Sequence, residues 1–292
     1  MRSAPTRPDL LRWQQLVTPA WLAALIRGQA VAGAPHGRWR LVEVGCGEPA
    51  DFLHSHIPGA CYLDTHQLED GPFWNKVADA DLLAVLLALG VRHDTTVILY
   101  GRSTTAAARA AHLMLYAGVA DVRLLDGAFA AWCHAGLPCD SGWPAPHAAA
   151  PDFGAPFPGC PHYLMNKAQA AGHLQQPGCA LVSIRTWEEF SGQTSGYRYI
   201  LAKGDIAGAL WGRAGDGLDV NSMSDFQNAD GTMKPVDEIT HFWADQGIHP
   251  GLALAFYCGT GWRASLAFYY AWLMGWEHIT VYDGGWFEWS GG

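Results

Sequence analysis

The residues best placed for covalent chemistry lie in one stretch, "FYCGTGWRAS", residues 256–265. Cys258 directly follows an apolar run, Gly259 and Gly261 come next, and Arg263 stands five positions beyond the cysteine. Glycines let a short loop curl and turn successive N–H groups inward. A helix beginning near Trp262 would add the unpaired N–H groups and partial positive charge of its first turn. Arg263 would bring a permanent cation with a planar fork of donors. Together these favour a thiolate, or an anion carried on it, so Cys258 is expected to act as a nucleophile without a separate general base. The plain alternative is an inert core thiol, because cysteine is among the most buried residue types.

The elements that must hold this loop emerge from an internal repeat. Residues 90–132 and 247–289 align without a gap at a spacing of 157, with eight identities. These include Gly90/Gly247, Tyr100/Tyr257, Gly118/Gly275, the Asp126-Gly127 and Asp283-Gly284 pairs, and Trp132/Trp289. Upstream, "HIPGA" (56–60) answers "DIAGA" (205–209), and "RLVEV" (40–44) answers "ALVSI" (180–184). Each copy reads as a buried strand, an I-x-G-A turn, a helix, a second strand, a loop, a helix, a third strand and a glycine turn into a last helix. Strands alternating with helices predict an α/β fold of two tandem domains, each a small parallel sheet flanked by helices. The expected boundaries are 15–142, a Pro/Gly/Ala-rich linker over 143–159, and 160–292. Asp283-Gly284-Gly285 reads as the turn that sets the strand-to-helix bend.

Composition narrows the class. Half of the 292 residues are hydrophobic and only 15% are charged, enough for a sizeable core and too apolar for disorder. A net charge of −9 argues against nucleic acid or an acidic membrane surface as partner. The apolar runs, such as "LLAVLLALGV" (82–91), are helix-sized, and residues 1–28 read as a polar lead before an amphipathic helix. The seven cysteines form no C-x-x-C and are odd in number, which disfavours a zinc site or disulfide framework and fits a cytoplasmic, reducing setting. Apart from Cys258, they (Cys46, Cys61, Cys133, Cys139, Cys160 and Cys179) read as structural.

"CGTGWR", with I-x-G-A upstream and "DGGWFEW" downstream, resembles the active-site region of the rhodaneses, or sulfurtransferases. The duplicated frame is similar to the tandem-domain members, in which the C-terminal copy is active. The resemblance spans roughly residues 15–142 and 160–290. It implies a thiosulfate or 3-mercaptopyruvate sulfurtransferase in which Cys258 takes a sulfane sulfur and holds it as a persulfide. The N–H groups of Gly259, Thr260, Gly261, Trp262 and Arg263 would cradle that sulfur, and Arg263 would close the loop. Neither metal nor organic cofactor is implied. The partners would be a small anionic donor and a thiol or cyanide acceptor, with a protein acceptor as a further option. Gly101 occupies the cysteine's place in the first copy, which implies a silent domain that completes the cleft, with Phe73 and Trp74 as apolar contacts. The donor stays open. Basic residues do not follow the cysteine, and Glu189 stands where mercaptopyruvate-type members place an arginine, leaving Arg185 and Arg198 to meet an anion. Two other functions compete: a non-enzymatic sulfur carrier or partner-binding module, and a cysteine phosphatase, whose related loop is one residue longer.

Overall fold

A computed structural model describes residues 7–217 and 219–291. Its first half runs β1 (Leu16–Val17), α1 (Pro19–Ile26), β2 (Trp39–Gly45), α2 (Ala50–His54), β3 (Cys61–Asp64), the strand pair β4 (Glu69–Asp70) and β5 (Asn75–Lys76), α3 (Asp79–Ala88), β6 (Thr96–Gly101), α4 (Thr104–Ala117), β7 (Asp121–Leu125) and α5 (Ala128–His134). The second half runs β8 (Leu164–Met165), α6 (Lys167–His173), β9 (Cys179–Ser183), α7 (Trp187–Phe190), β10 (Leu210–Trp211), α8 (Val236–Asp245), β11 (Ala253–Tyr257), α9 (Trp262–Leu273), β12 (Ile279–Tyr282) and α10 (Gly285–Trp289). The sheets are ordered β1-β7-β6-β2-β3 and β10-β9-β11-β12-β8, and every pairing within them is parallel. Read from the opposite edge, the second order repeats the first.

The central strands β6, β9, β11 and β12 are apolar and buried almost throughout, as strands covered on both faces must be. One difference from the sequence reading concerns the I-x-G-A turn, which leads into an edge strand, β3 or β10, before the helix arrives. These strands are short and only partly buried, so no alternation marks them in the sequence.

The two domains meet through equivalent helices. Nearly every residue of α4 and of α9 is buried, and both belong to one apolar cluster that continues from one sheet into the other. The alanines of α4 (Ala106, Ala107, Ala108, Ala110 and Ala111) let the bulkier α9, with Phe268, Tyr269 and Tyr270, pack closely. The Cys258–Gly261 loop precedes α9, so this packing sets it facing the first domain. The segment 143–159 carries no helix or strand.

Candidate active site

The loop follows β11 at the carboxyl end of the sheet, where open α/β sheets present their ligand sites. Gly261, the residue before α9, donates its N–H to Cys258 Sγ at 3.1 Å, and its left-handed φ of +110° turns the chain from the loop into the helix. Cys258 itself is 1% exposed, beneath the loop. Backbone bonds hold the loop on two sides. The Ile184 N–H donates to Tyr257 O at 2.7 Å, while the Trp286 and Phe287 N–H groups donate to Cys258 O at 2.8 Å and Gly259 O at 3.1 Å. Gly285 makes the second approach possible: at φ +55°, a Cβ on it would lie 2.5 Å from Cys258 O and 2.7 Å from Gly259 O. The Asp283-Gly284-Gly285 turn therefore also fixes the floor of the loop. On the other side, a Cβ on Gly259 would collide with the Tyr197 ring.

Arg263 is buried and lines the cavity in front of the loop. It donates from Nη1 to Glu189 Oε2 at 2.8 Å, and from Nη2 to Glu189 Oε1 at 2.9 Å and Tyr197 Oη at 3.1 Å. Burial works to raise the Glu189 carboxyl, but Arg263, reinforced by Arg185, outweighs it and holds the group below its ordinary value. Glu189 also accepts from the Thr186 N–H, a capping box that fixes α7. The acid that departs from the mercaptopyruvate-type pattern is thus the counterion of the loop arginine.

Arg185 is fully buried and committed to protein groups. It donates to Gly204 O at 2.6 Å and Asp205 Oδ2 at 3.0 Å, and approaches Glu189 Oε1 at 3.4 Å. Arg198 is exposed and does not line the cavity. Neither arginine, expected to meet an anionic donor, stands at the site in this structure. Of the two aromatic residues proposed from the first copy, Trp74 lines the cavity, whereas Phe73 packs edge-on against Phe287.

The cavity, of about 210 Å³, opens between the domains. The first domain lends it Cys46, Thr65, His66, Glu69 and Trp74; the second lends Tyr197, Tyr199, Asn221, Thr260, Trp262 and Arg263. Glu69 links the halves: its Oε1 accepts from Arg109 Nε at 2.7 Å and its Oε2 from Trp262 Nε1 at 2.8 Å. Arg109 also donates from Nη2 to Asp283 Oδ1 at 2.6 Å, and Asp283 Oδ2 accepts from the Lys76 N–H at 2.7 Å. Burial raises the Glu69 carboxyl, while Arg109 and Trp262 both favour its ionised form. Glu69, Tyr197 and Tyr199 are cavity residues that sequence reasoning missed. They lie outside the aligned repeat, and the one usable signal was an acid just before the "DGPFWNK" segment already singled out.

The model of the rhodanese-like domain matches residues 18–135 and 166–291. Thiosulfate sulfurtransferase YnjE of Escherichia coli (strain K12) is 53% identical over 289 residues, covering 99% of this chain and 66% of YnjE. The crystal structure of YnjE superposes with a TM-score of 0.94, covering 97% of this chain and 68% of that one. This chain therefore spans about two thirds of the length of YnjE. The anaerobic ergothioneine biosynthesis enzyme from Chlorobium limicola, in complex with its natural substrate trimethyl histidine, is 37% identical with a TM-score of 0.92, covering 97% of this chain and 69% of that one. A structure of EanB with a cysteine persulfide, in a tetrahedral intermediate state with ergothioneine, is 36% identical with a TM-score of 0.92, covering 96% and 69%. The chain belongs to the rhodanese family of sulfurtransferases.

Proposed function

We propose that this rhodanese-family chain is a sulfurtransferase that carries a sulfane sulfur on Cys258. The observation that carries the reading is the buried Cys258 sulfur with the Gly261 N–H donated to it, at the end of β11 and under the first turn of α9. A nucleophilic sulfur needs this setting of fixed dipoles, and an outer sulfur placed on Cys258 would meet the same field. The likeness to EanB with its cysteine persulfide supports the same chemistry.

In the first half-reaction, the Cys258 thiolate attacks the sulfane sulfur of thiosulfate, and sulfite leaves with the bonding electrons. With 3-mercaptopyruvate it attacks the thiol sulfur, and the C–S bond breaks with its pair on carbon, so that pyruvate leaves as its enolate and takes up a proton. In the second, a thiophilic acceptor attacks the outer sulfur and Cys258 leaves as thiolate. Because Arg263 is neutralised by Glu189, the donor's charge falls to the N–H groups of Gly259 to Arg263 and the α9 N-terminus. Such a site should bind thiosulfate weakly. The first domain, with Gly101 in place of the cysteine, completes the cleft and does no sulfur chemistry of its own.

Intact-protein mass spectrometry after separate incubations with thiosulfate and 3-mercaptopyruvate tests this directly. Wild type is expected to gain one sulfur atom and Cys258→Ser none. A Cys258→Ser protein that loads and turns over like wild type would refute the proposal.

A further inference from the structure

The cavity beside the loop has an unusual balance of charge and aromatic surface. Trp74, Tyr197, Tyr199 and Trp262 line it from both domains, together with the Glu69 carboxylate. Trp74 sits at φ +61°, a backbone conformation that costs a bulky L-residue about 1 kcal/mol or more and persists only where the surroundings impose it. Such outliers cluster at ligand sites, and this one sets the indole at the cavity.

The nearby guanidinium groups are already neutralised. Arg263 is bidentate to Glu189, and Arg109, buried behind the cavity, serves both Glu69 and Asp283. The last group sets two carboxyl groups against one guanidinium, and although burial raises Glu69, Arg109 and Trp262 favour its ionised form, so the group offers no free positive charge. The neighbouring cavity continues this bias. It shares Cys46 and Trp262 with the first and adds Glu43, Glu48 and Asp51 against Arg102. Arg102 lies 3.2 Å from Glu43 Oε1; Glu43, 2% exposed, is raised by burial, so Glu48 and Asp51 carry the negative bias here. A persulfide on Cys258 would add further negative charge. An anionic acceptor would approach all of this against repulsion. A cation would find aromatic faces and a desolvated carboxylate, the two features that hold quaternary and protonated amines.

We infer that the sulfur acceptor of this enzyme is a small thiophile bearing a positive charge, held between Trp74, Trp262, Tyr199 and Glu69 while it attacks the outer sulfur. The inference rests on the Cys258 persulfide reading. For a thiol acceptor the step balances without an oxidant. The thiol proton passes to water and the acceptor sulfur bonds to the outer sulfur. The bond to Cys258 breaks with its electron pair on Cys258, and the acceptor departs as a persulfide.

The test compares small thiol acceptors that differ in charge on sulfur-loaded protein: thiocholine, 2-mercaptoethanol and 3-mercaptopropionate, each rated per thiolate present. Thiocholine is expected to unload the protein about tenfold faster than 2-mercaptoethanol, with 3-mercaptopropionate slowest. Glu69→Gln and Trp74→Leu should each erode that preference. Because Glu69→Gln also disturbs a buried ion pair, binding to unaltered wild type provides a second measurement. By isothermal titration, choline should bind about tenfold more tightly than its uncharged isostere 3,3-dimethylbutan-1-ol. Equal unloading rates, or a preference for the anionic thiol, would overturn the inference, as would choline binding no better than the isostere. The choline titration needs no bound sulfur. Failure to load sulfur therefore counts against the sulfurtransferase reading, while the titration still decides for or against the cation site.

Discussion

Gly285→Ala isolates the support of the Cys258 loop. Two costs add. The first is the positive φ, about 1–2 kcal/mol for an L-residue. The second is contact: the new Cβ would lie 2.5 Å from Cys258 O and 2.7 Å from Gly259 O, both backbone atoms with no side-chain freedom. Relief requires α10 to draw away from the loop, which breaks the N–H donations of Trp286 and Phe287 to those oxygens. Each of the two buried bonds left unmade costs about 1–3 kcal/mol, so the sum is about 3–8 kcal/mol. Gly247→Ala is the control, since Gly247 also has positive φ (+73°) but a Cβ there would have no atom within 4 Å. It should lose only the first amount and load sulfur normally. The assay pairs denaturant unfolding with the rate of sulfur loading, which in Gly285→Ala should fall at least about tenfold, the equivalent of 1.4 kcal/mol in the barrier. If Gly285→Ala destabilised no more than Gly247→Ala and loaded sulfur like wild type, the claim that α10 supports the loop would be wrong.

Two further outcomes follow from buried charge. Glu189→Gln leaves Arg263 and Arg185 with one counterion fewer, so unfolding measurements should show a loss of about 3–5 kcal/mol, accompanied by slower sulfur loading. His112 is fully buried on α4, and burial holds its imidazole down at about 4, so the folded protein keeps it neutral where the unfolded chain, near 6.5, takes up a proton. Its contribution is present above pH 6.5 and lost as pH falls towards 4, worth about 3 kcal/mol. Asp126 works in the opposite sense: burial raises it to about 6, so its ionisation weakens the fold as pH rises through that value. His112→Phe, which removes the buried imidazole, should therefore become more stable relative to wild type as pH is lowered from 6.5 towards 4. An unchanged difference between the two proteins across that range would contradict the burial argument.

What the sequence determined by itself was local or repeated. The strand–loop–helix order around Cys258 follows from an apolar run, glycines and a helix-forming stretch within a few residues, and the duplication exposed the same order twice. Trp74 was within reach because the family resemblance places its segment, "DGPFWNK", at the cleft. Tertiary structure alone decided which charges remain free. Arg263, Arg185 and Arg109 look alike in sequence as cations available to an anion, yet each meets a carboxylate: Glu189, Asp205, or Glu69 with Asp283. Arg109 and Asp283 lie 174 positions apart, and no periodicity links them. The same holds for Tyr197 and Tyr199, carried to the cavity by an irregular segment outside the repeat. Short-range patterns encode elements because a residue's neighbours set its backbone preference. The polarity of a site depends on which side chains share one desolvated volume, and here that is settled only when α4 packs against α9.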